Sequence, residues 1–388
     1  MFPLGSLQAG GRSAVPIALQ EPYQGKLVQI VREGFAQKSP PGIVAGIAVR
    51  GQVVALTAIG VRKRDFPEAI SVNDPVMIGS VTKPMVNTVV AKCVLDGKLS
   101  WEDTLAGVAP DVVEGMDHAS KHATLRQFVT HRAGLSYDMD ESPEAEARRG
   151  VQFRDESAFR LELIKRSLKR FKPAGMPVEK DVYSNLGPII SALMVERKTG
   201  KAFESLIQSV LVEDFGLRSL KFGDQGSDDG NPTCARGHMF RGDKFIRYGS
   251  SGRDYGDMFW KSFLGGNFSV SCLDMVRFGA ILSSRRLSHH PEFDSRFFSQ
   301  VDTRAVRGEV RTQLGLVIFV NALNEVSVGH TGNTGRGEWA YLSLIPAKQA
   351  AVFAYANRNS DAQDFQLGEI NLSVHNWLFG RAGPYGLT

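Results

Sequence analysis

The sequence predicts an α+β protein, an antiparallel β-sheet flanked by helices and built from both ends of the chain, with a mostly helical domain inserted between them. Three observations predict it. Apolar runs of strand length cluster at residues 43–61 and again at 313–355; segments of helical period fill the interval; and one further helical pattern flanks each strand-rich part.

The first helix is expected over Gly25 to Gln37. Ile43–Val49 and Val53–Val61, separated by Arg50-Gly51-Gln52, read as a hairpin of buried strands. Pro75 to Gly79 reads as buried chain entering a turn. Met85, Val89, Val90, Cys93 and Val94 then recur with helical spacing, which predicts a helix over Pro84 to Leu95. Pro84 suits its first turn, where a missing N–H costs nothing. Further helical patterns cover Leu125–Thr130, Glu156–Lys169, Leu186–Thr199, Phe203–Glu213 and Leu273–Leu282. Strands are expected at Gln313–Val320, Glu325–Val328, Glu338–Ile345 and Gln349–Tyr355, and a closing helix over Phe365–Phe379. The expected division is an N-terminal extension (1–23), a sheet domain (24–78 with 302–388) and a helical domain (79–301). Junctions of this kind are common sites for pockets.

Composition excludes several classes of function. The chain has 388 residues, 43% apolar and 22% charged, enough to bury a large core and without repeats or low-complexity tracts. A net charge of +5 invites an anionic partner, yet the basic runs Arg62-Lys63-Arg64 and Lys165 to Lys172 lie close to Asp65, Glu68, Glu156 and Glu162, as on solvated faces. No recognition motif accompanies the charge, so no nucleic-acid partner is expected. Cys93, Cys234 and Cys272 are too scattered for a disulfide framework or a zinc site, and His118 and His122 lack the acidic residue of a metalloprotease helix. No run of eighteen apolar residues is present, so no membrane span is expected. The first twenty residues have no signal-peptide core, which makes a cytoplasmic enzyme the expectation.

Chemistry concentrates in three places. Ser80-Val81-Thr82-Lys83 sets a hydroxyl and an amine three residues apart at a strand-to-helix junction, on one face of a helix whose N-terminus favours a developing anion. A buried lysine can take a serine proton; the same tetrapeptide also fits a capping serine beside a solvated lysine. Tyr183-Ser184-Asn185 leads into the Leu186–Thr199 helix and offers a phenol and an amide. Gly329-His330-Thr331-Gly332-Asn333-Thr334-Gly335 lies between strand-like segments, where glycines let a backbone N–H approach a ligand.

In this order the three motifs resemble those of the serine β-lactamase and penicillin-binding-protein superfamily, in particular its class C β-lactamase, D-peptidase and family VIII esterase branch. Thr124 to Leu135, Leu264 to Ser269 and Ala356-Asn357 are also similar to family segments, so the likeness runs from about residue 24 to about 380. It implies that Ser80 is the acylated nucleophile, Lys83 its activating amine, Tyr183 the general base and acid, and Asn185 the group orienting Lys83 and the substrate amide or ester. Backbone N–H groups of Ser80 and Asn333 would form the oxyanion hole, with Gly332 beside them. His330 and Thr331 would line the leaving-group side, and no metal or organic cofactor would be needed. Whether Lys83 or Tyr183 takes the first proton stays open.

The aromatic stretch before Gly265-Gly266, with Tyr248, Tyr255, Phe259, Trp260 and Phe263, either packs the core or walls a hydrophobic acyl pocket, with Tyr255 and Trp260 as substrate contacts. Two departures from the class C pattern bear on substrate. His330 replaces a lysine and is largely neutral near pH 7. Ser360 to Phe365 lacks the Asn and Arg that help those enzymes grip a carboxylate. The expected substrate is therefore a small ester or a D-amino-acid amide. β-Lactam hydrolysis, D-Ala-D-Ala carboxypeptidase action, acyl transfer and a non-catalytic scaffold are the alternatives.

Overall fold

The computed structural model describes residues 15, 17–38, 40–114, 119–137, 139–140, 142, 146, 152–170, 182–225, 233–241, 244–247, 261–284, 311–313, 315–320, 325–358 and 363–381. The chain begins with helix α1 (Tyr23–Lys38), the hairpin β1 (Gly42–Val49) and β2 (Gln52–Gly60), a short strand β3 (Pro75–Met77) and helix α2 (Thr82–Leu95). Helices α3 (Glu156–Arg170) and α4 (Leu186–Thr199) follow, then strands β4 (Lys221–Phe222), β5 (His238–Arg241), β6 (Lys244–Arg247) and β7 (Phe268–Ser271) and helix α5 (Cys272–Ser284). Strands β8 (Arg311–Gln313), β9 (Leu316–Val320), β10 (Val326–Asn333), β11 (Trp339–Ile345) and β12 (Ala350–Ala356) lead to helix α6 (Gln363–Leu378).

The main sheet has the order β2-β1-β12-β11-β10-β9-β8, antiparallel throughout. The two ends of the chain meet in it, with Ile43 opposite Ala356 and Val49 opposite Ala350. Strand period sends alternate residues to opposite faces. Ile43, Ala45 and Ile47 join Val352, Ala354 and Ala356 against Leu27 and Val31 of α1 and Ile370 and Val374 of α6. Val44, Ala48, Phe353 and Tyr355 belong to the other core, with Val276 and Ala280 of α5. Helix α5, expected in the helical part, thus covers the second face of the sheet.

Helix α2 is the axis of the helical part. Met85, Val86, Val89, Val90 and Cys93 are buried, and so are Thr82, Lys83, Asn87 and Thr88. A helix buried all round has neighbours on every side, here α4 and the segments Phe203–Ile207 and Gln208–Asp214 among them. Each of its large apolar side chains contributes about 1.5–3 kcal/mol by leaving water. Helix α3 is one-sided, burying Phe159, Leu163, Ile164 and Leu168.

Three features differ from expectation. Strand β10 does not stop at Val328 but carries the Gly-His-Thr-Gly stretch to Asn333, paired with β11 from Val328 opposite Leu344 to Asn333 opposite Trp339; its glycines and polar residues hide the alternation of a strand. The helix expected over Phe203–Glu213 is α-helical only to Ile207 and widens to π-type turns over Gln208–Asp214. The small sheet β3-β7-β4 and the hairpin β5-β6 consist of strands of two to four residues, too short to show a period. No helix among the described residues is long and apolar enough to cross a membrane. None of their His, Cys, Asp and Glu side chains form a group suited to a metal ion.

Candidate active site

Ser80 occupies the middle of one 3₁₀ turn, Gly79–Val81, which runs straight into α2. This is the helix N-terminal placement expected from the sequence. Strand β3 leads into the turn and is paired with β7, which bonds back to both sides of Ser80: the Ile78 N–H donates to the Phe268 carbonyl at 3.0 Å, and the Phe268 N–H to Thr82 Oγ1 at 3.1 Å. The loop just before β7 is therefore held over the start of α2, and it brings the Gly265 carbonyl to Lys83.

Four side chains named from the sequence meet here. Tyr183 OH donates to Ser80 Oγ at 2.7 Å. Lys83 Nζ lies 3.0 Å from Ser80 Oγ, 2.8 Å from Asn185 Oδ1 and 2.5 Å from the Gly265 carbonyl oxygen. It also stands 4.7 Å above the Tyr183 ring. Asn185 can reach because it is the residue at which α4 begins.

Burial decides the protonation states. Lys83 is fully buried, and loss of hydration alone holds its amine well below the usual lysine range. Burial pushes the Tyr183 phenol above the usual tyrosine range, only partly offset by its bond to Ser80. The resting phenol is thus a donor. Asn185 Oδ1 and the Gly265 carbonyl can only accept, so a neutral Lys83 amine spends both N–H groups on them and leaves its lone pair for the Ser80 hydroxyl. The chain of donation runs from phenol to hydroxyl to amine.

Strand β10 presses on the turn that carries Ser80. A Cβ at Gly332 would sit 1.9 Å from the Ile78 carbonyl oxygen and 3.1 Å from the Ser80 nitrogen; one at Gly79, where φ is +52°, would sit 2.7 Å from the Asn333 nitrogen. Only glycine permits this backbone-to-backbone contact. Ser80 and Asn333 share the wall of a cavity of about 320 Å³, whose other linings include Met77, Tyr137, Met139, Phe263 and Arg336.

The remaining named residues divide. His330 is 5% exposed, its ring centroid 6.0 Å from that of Tyr183, and it is not on the cavity wall. Its pKa falls to about 4, through burial first and then Lys83. Thr331 is exposed on β10 and likewise absent from the wall, whereas Gly332 is buried beneath Ser80. Phe263 does line the cavity; Tyr255 and Trp260, like Tyr248 and Phe259, lie outside the described residues.

Sequence reasoning missed four contributors. The Gly265 carbonyl is a backbone acceptor with no residue-type signal. Tyr137, 61% exposed at the cavity and stacked on Tyr183 with centroids 6.0 Å apart, follows closely on Leu135. Arg336 directly follows the glycine-rich motif and is the one charged side chain among the described lining residues. His131, inside the recognised Thr124–Leu135 segment, packs its ring 4.7 Å from that of Tyr183.

The Beta-lactamase family model matches residues 27–374. The chain is 24% identical over 203 residues to Esterase EstB of Burkholderia gladioli, covering 51% of either protein, and 22% identical over 198 residues to Gigasin-6 of Magallana gigas, covering 50% of this chain and 62% of that one. It thus spans roughly half the length of the curated relatives it matches. Among solved structures, the octameric penicillin-binding protein homologue from Pyrococcus abyssi superposes with a TM-score of 0.71 at 19% identity, over 93% of this chain and 78% of that one. A class C beta-lactamase gives 0.69 at 17% identity over 90% and 95%. A D-stereospecific amidohydrolase from Streptomyces sp. gives 0.63 at 18% identity over 87% and 94%. At these identities the superpositions speak for the fold, and the family model, which runs from α1 to α6 through all three motifs, makes the chain a member of the beta-lactamase family.

Proposed function

We propose that the protein is a serine hydrolase that forms an acyl-enzyme on Ser80, acting on a small carboxylic ester or a D-amino-acid amide. The observation that carries this reading is the position of Ser80 Oγ, 2.7 Å from the Tyr183 phenol and 3.0 Å from the Lys83 amine in the wall of an open cavity.

Lys83 takes the first proton, because its lone pair faces the hydroxyl while the phenol is protonated. Ser80 Oγ bonds to the substrate carbonyl carbon, and the carbonyl π pair moves onto oxygen. The backbone N–H groups of Ser80 and Asn333 receive that anion, each donor lowering the barrier by roughly 3 kcal/mol. Collapse breaks the bond to the leaving group, which takes the Tyr183 proton; the phenolate recovers a proton from the Lys83 ammonium. A water then attacks the acyl carbon, its proton passing to the same pair, and Ser80 leaves with a proton as the acid is released. Asn185 keeps Lys83 oriented throughout. The apolar lining from Met77, Met139 and Phe263 favours a hydrophobic acyl group.

The first half-reaction is tested by labelling with a fluorescent fluorophosphonate, expected on wild type and absent in Ser80→Ala at unchanged melting temperature. An unlabelled wild type would sink it. Substrate class is tested by comparing a short p-nitrophenyl ester, a D-alanyl amide and a chromogenic cephalosporin. Cephalosporin turnover above ester turnover by orders of magnitude would overturn the assignment.

A further inference from the structure

Tyr183 precedes α4 and draws nothing from that helix's ladder, so something else must hold the phenol against Ser80. Both of its chain neighbours are bonded to one residue. The Val182 N–H donates to the His131 carbonyl at 2.8 Å, and the Ser184 N–H donates to His131 Nδ1 at 3.2 Å. Between these two bonds the His131 ring lies against the Tyr183 ring, with centroids 4.7 Å apart and planes at 34°. His131 is 4% exposed and has a φ of +58°, in the left-handed region that few side-chain-bearing residues adopt, Asn, Asp and His the most often. A glycine would adopt this turn without strain, so the imidazole is the reason for a histidine here.

The bond also dictates the tautomer. A nitrogen that accepts from a backbone N–H is bare, so the ring proton sits on Nε2. Burial first, and then Lys83 and His330 nearby, lowers the pKa of His131 to about 3, which favours a neutral ring near pH 7.

We infer that His131 is a positioning residue for Tyr183: its carbonyl and its Nδ1 bracket the tyrosine's backbone and fix the phenol 2.7 Å from Ser80 Oγ. It touches no substrate and moves no proton. The inference rests on the acyl-serine reading above, since only a phenol that must meet Ser80 needs such a clamp.

Two substitutions separate positioning from packing. His131→Leu keeps much of the volume and removes the Nδ1 acceptor. His131→Asn gives up volume, but its Oδ1 can stand near the place of Nδ1 and its backbone tolerates the left-handed region. Acylation by the fluorophosphonate is expected to slow about 100-fold in His131→Leu, the effect of a misplacement of about 1 Å, with KM for the p-nitrophenyl ester within about twofold of wild type. His131→Asn is expected to recover to within about tenfold. A packing role predicts the reverse order. His131→Leu acylating at the wild-type rate, or His131→Asn as slow as His131→Leu, overturns the inference. Nitrogen-15 shifts of His131 in wild-type protein are expected to show a bare Nδ1 and a protonated Nε2; a proton on Nδ1 overturns it too. That measurement needs neither variant to fold nor the enzyme to turn over. An unlabelled wild type would therefore defeat the catalytic reading while the bracket is still decided by the shifts.

Discussion

Gly332→Ala is the smallest change that tests how β10 and the Ser80 turn are fitted together. The new Cβ would lie 1.9 Å from the Ile78 carbonyl oxygen, where ordinary contact begins near 3.4 Å. Both atoms belong to backbone held in hydrogen-bonded structure, β10 by its pairing to β11 and Ile78 by its bond to Phe268, so neither can yield by rotating a side chain. The strand must withdraw by about 1.5 Å, carrying Asn333 with it, and a displacement of about 1 Å is enough to cost about a hundredfold in rate. On the acyl-serine reading the N–H of Asn333 then retreats from that of Ser80, so the loss is expected in kcat, equivalent to about 3 kcal/mol of barrier, with KM nearly unchanged. The assay is ester turnover with a melting curve on the same preparation. A folded Gly332→Ala enzyme with wild-type kcat would refute the claim that this contact aligns the two donors.

Three further outcomes follow from burial and charge. The pH–rate profile is expected to rise as Lys83 loses its proton, at a pH well below its usual range, and to show no histidine inflection between about pH 5 and 8 because His131 and His330 titrate near 3 and 4; an inflection near 6.5 abolished by His330→Asn would contradict this. Glu338, buried beside Asp224 and bonded to Thr334, has its pKa raised by burial to about 7, so the folded state holds its proton more tightly than the unfolded chain. Its contribution is full below pH about 4.5 and lost as pH rises through about 7, on the order of 3 kcal/mol, and Glu338→Gln should flatten that slope in denaturant titrations. Arg336 lines the cavity with its guanidinium 3.5 Å from Asp224, which also pairs with Arg236 at 2.7 Å. Arg336→Gln is accordingly expected to raise KM severalfold for esters carrying a free carboxylate and to leave a neutral p-nitrophenyl ester unaffected.

How much of this was readable in the chain depends on the range over which each feature is encoded. The apolar runs of β1 and β12 and the period of α2 and α4 are local, and they appear in the sequence almost at their true boundaries. Ser80 and Lys83 are also local, since one helical turn sets their meeting. Tyr183 and Asn185 reach them across a hundred residues, and nothing in their own segment dictates that contact; there the likeness of motif order supplied what spacing could not. Gly265 was visible within the Leu264–Ser269 segment, but its carbonyl matters, and a carbonyl carries no residue identity. His330 shows the opposite failure, a side chain with an obvious chemical type whose burial removes it from the cavity wall.

These failures share a physical cause that bears on how the site works. Ser80 begins a helix, the Tyr183 phenol sits in a loop tied to His131, and Asn333 ends a sheet strand, so on the acyl-serine reading three separately packed elements must agree to within a fraction of an ångström. Sequence period reports the packing of each element on its own core. Their mutual fit is set instead by backbone contacts that only glycine permits, at Gly79 and Gly332, and by backbone acceptors at Gly265 and His131. Substitutions at those four positions should therefore impair acylation more than equally drastic changes among the cavity's apolar linings, where a ligand can shift to compensate. Met139→Ala beside Gly332→Ala makes the comparison: the first is expected to change KM and acyl-chain preference, the second kcat. If Met139→Ala instead cost the larger share of kcat with a short ester, pocket shape rather than backbone alignment would be limiting the rate.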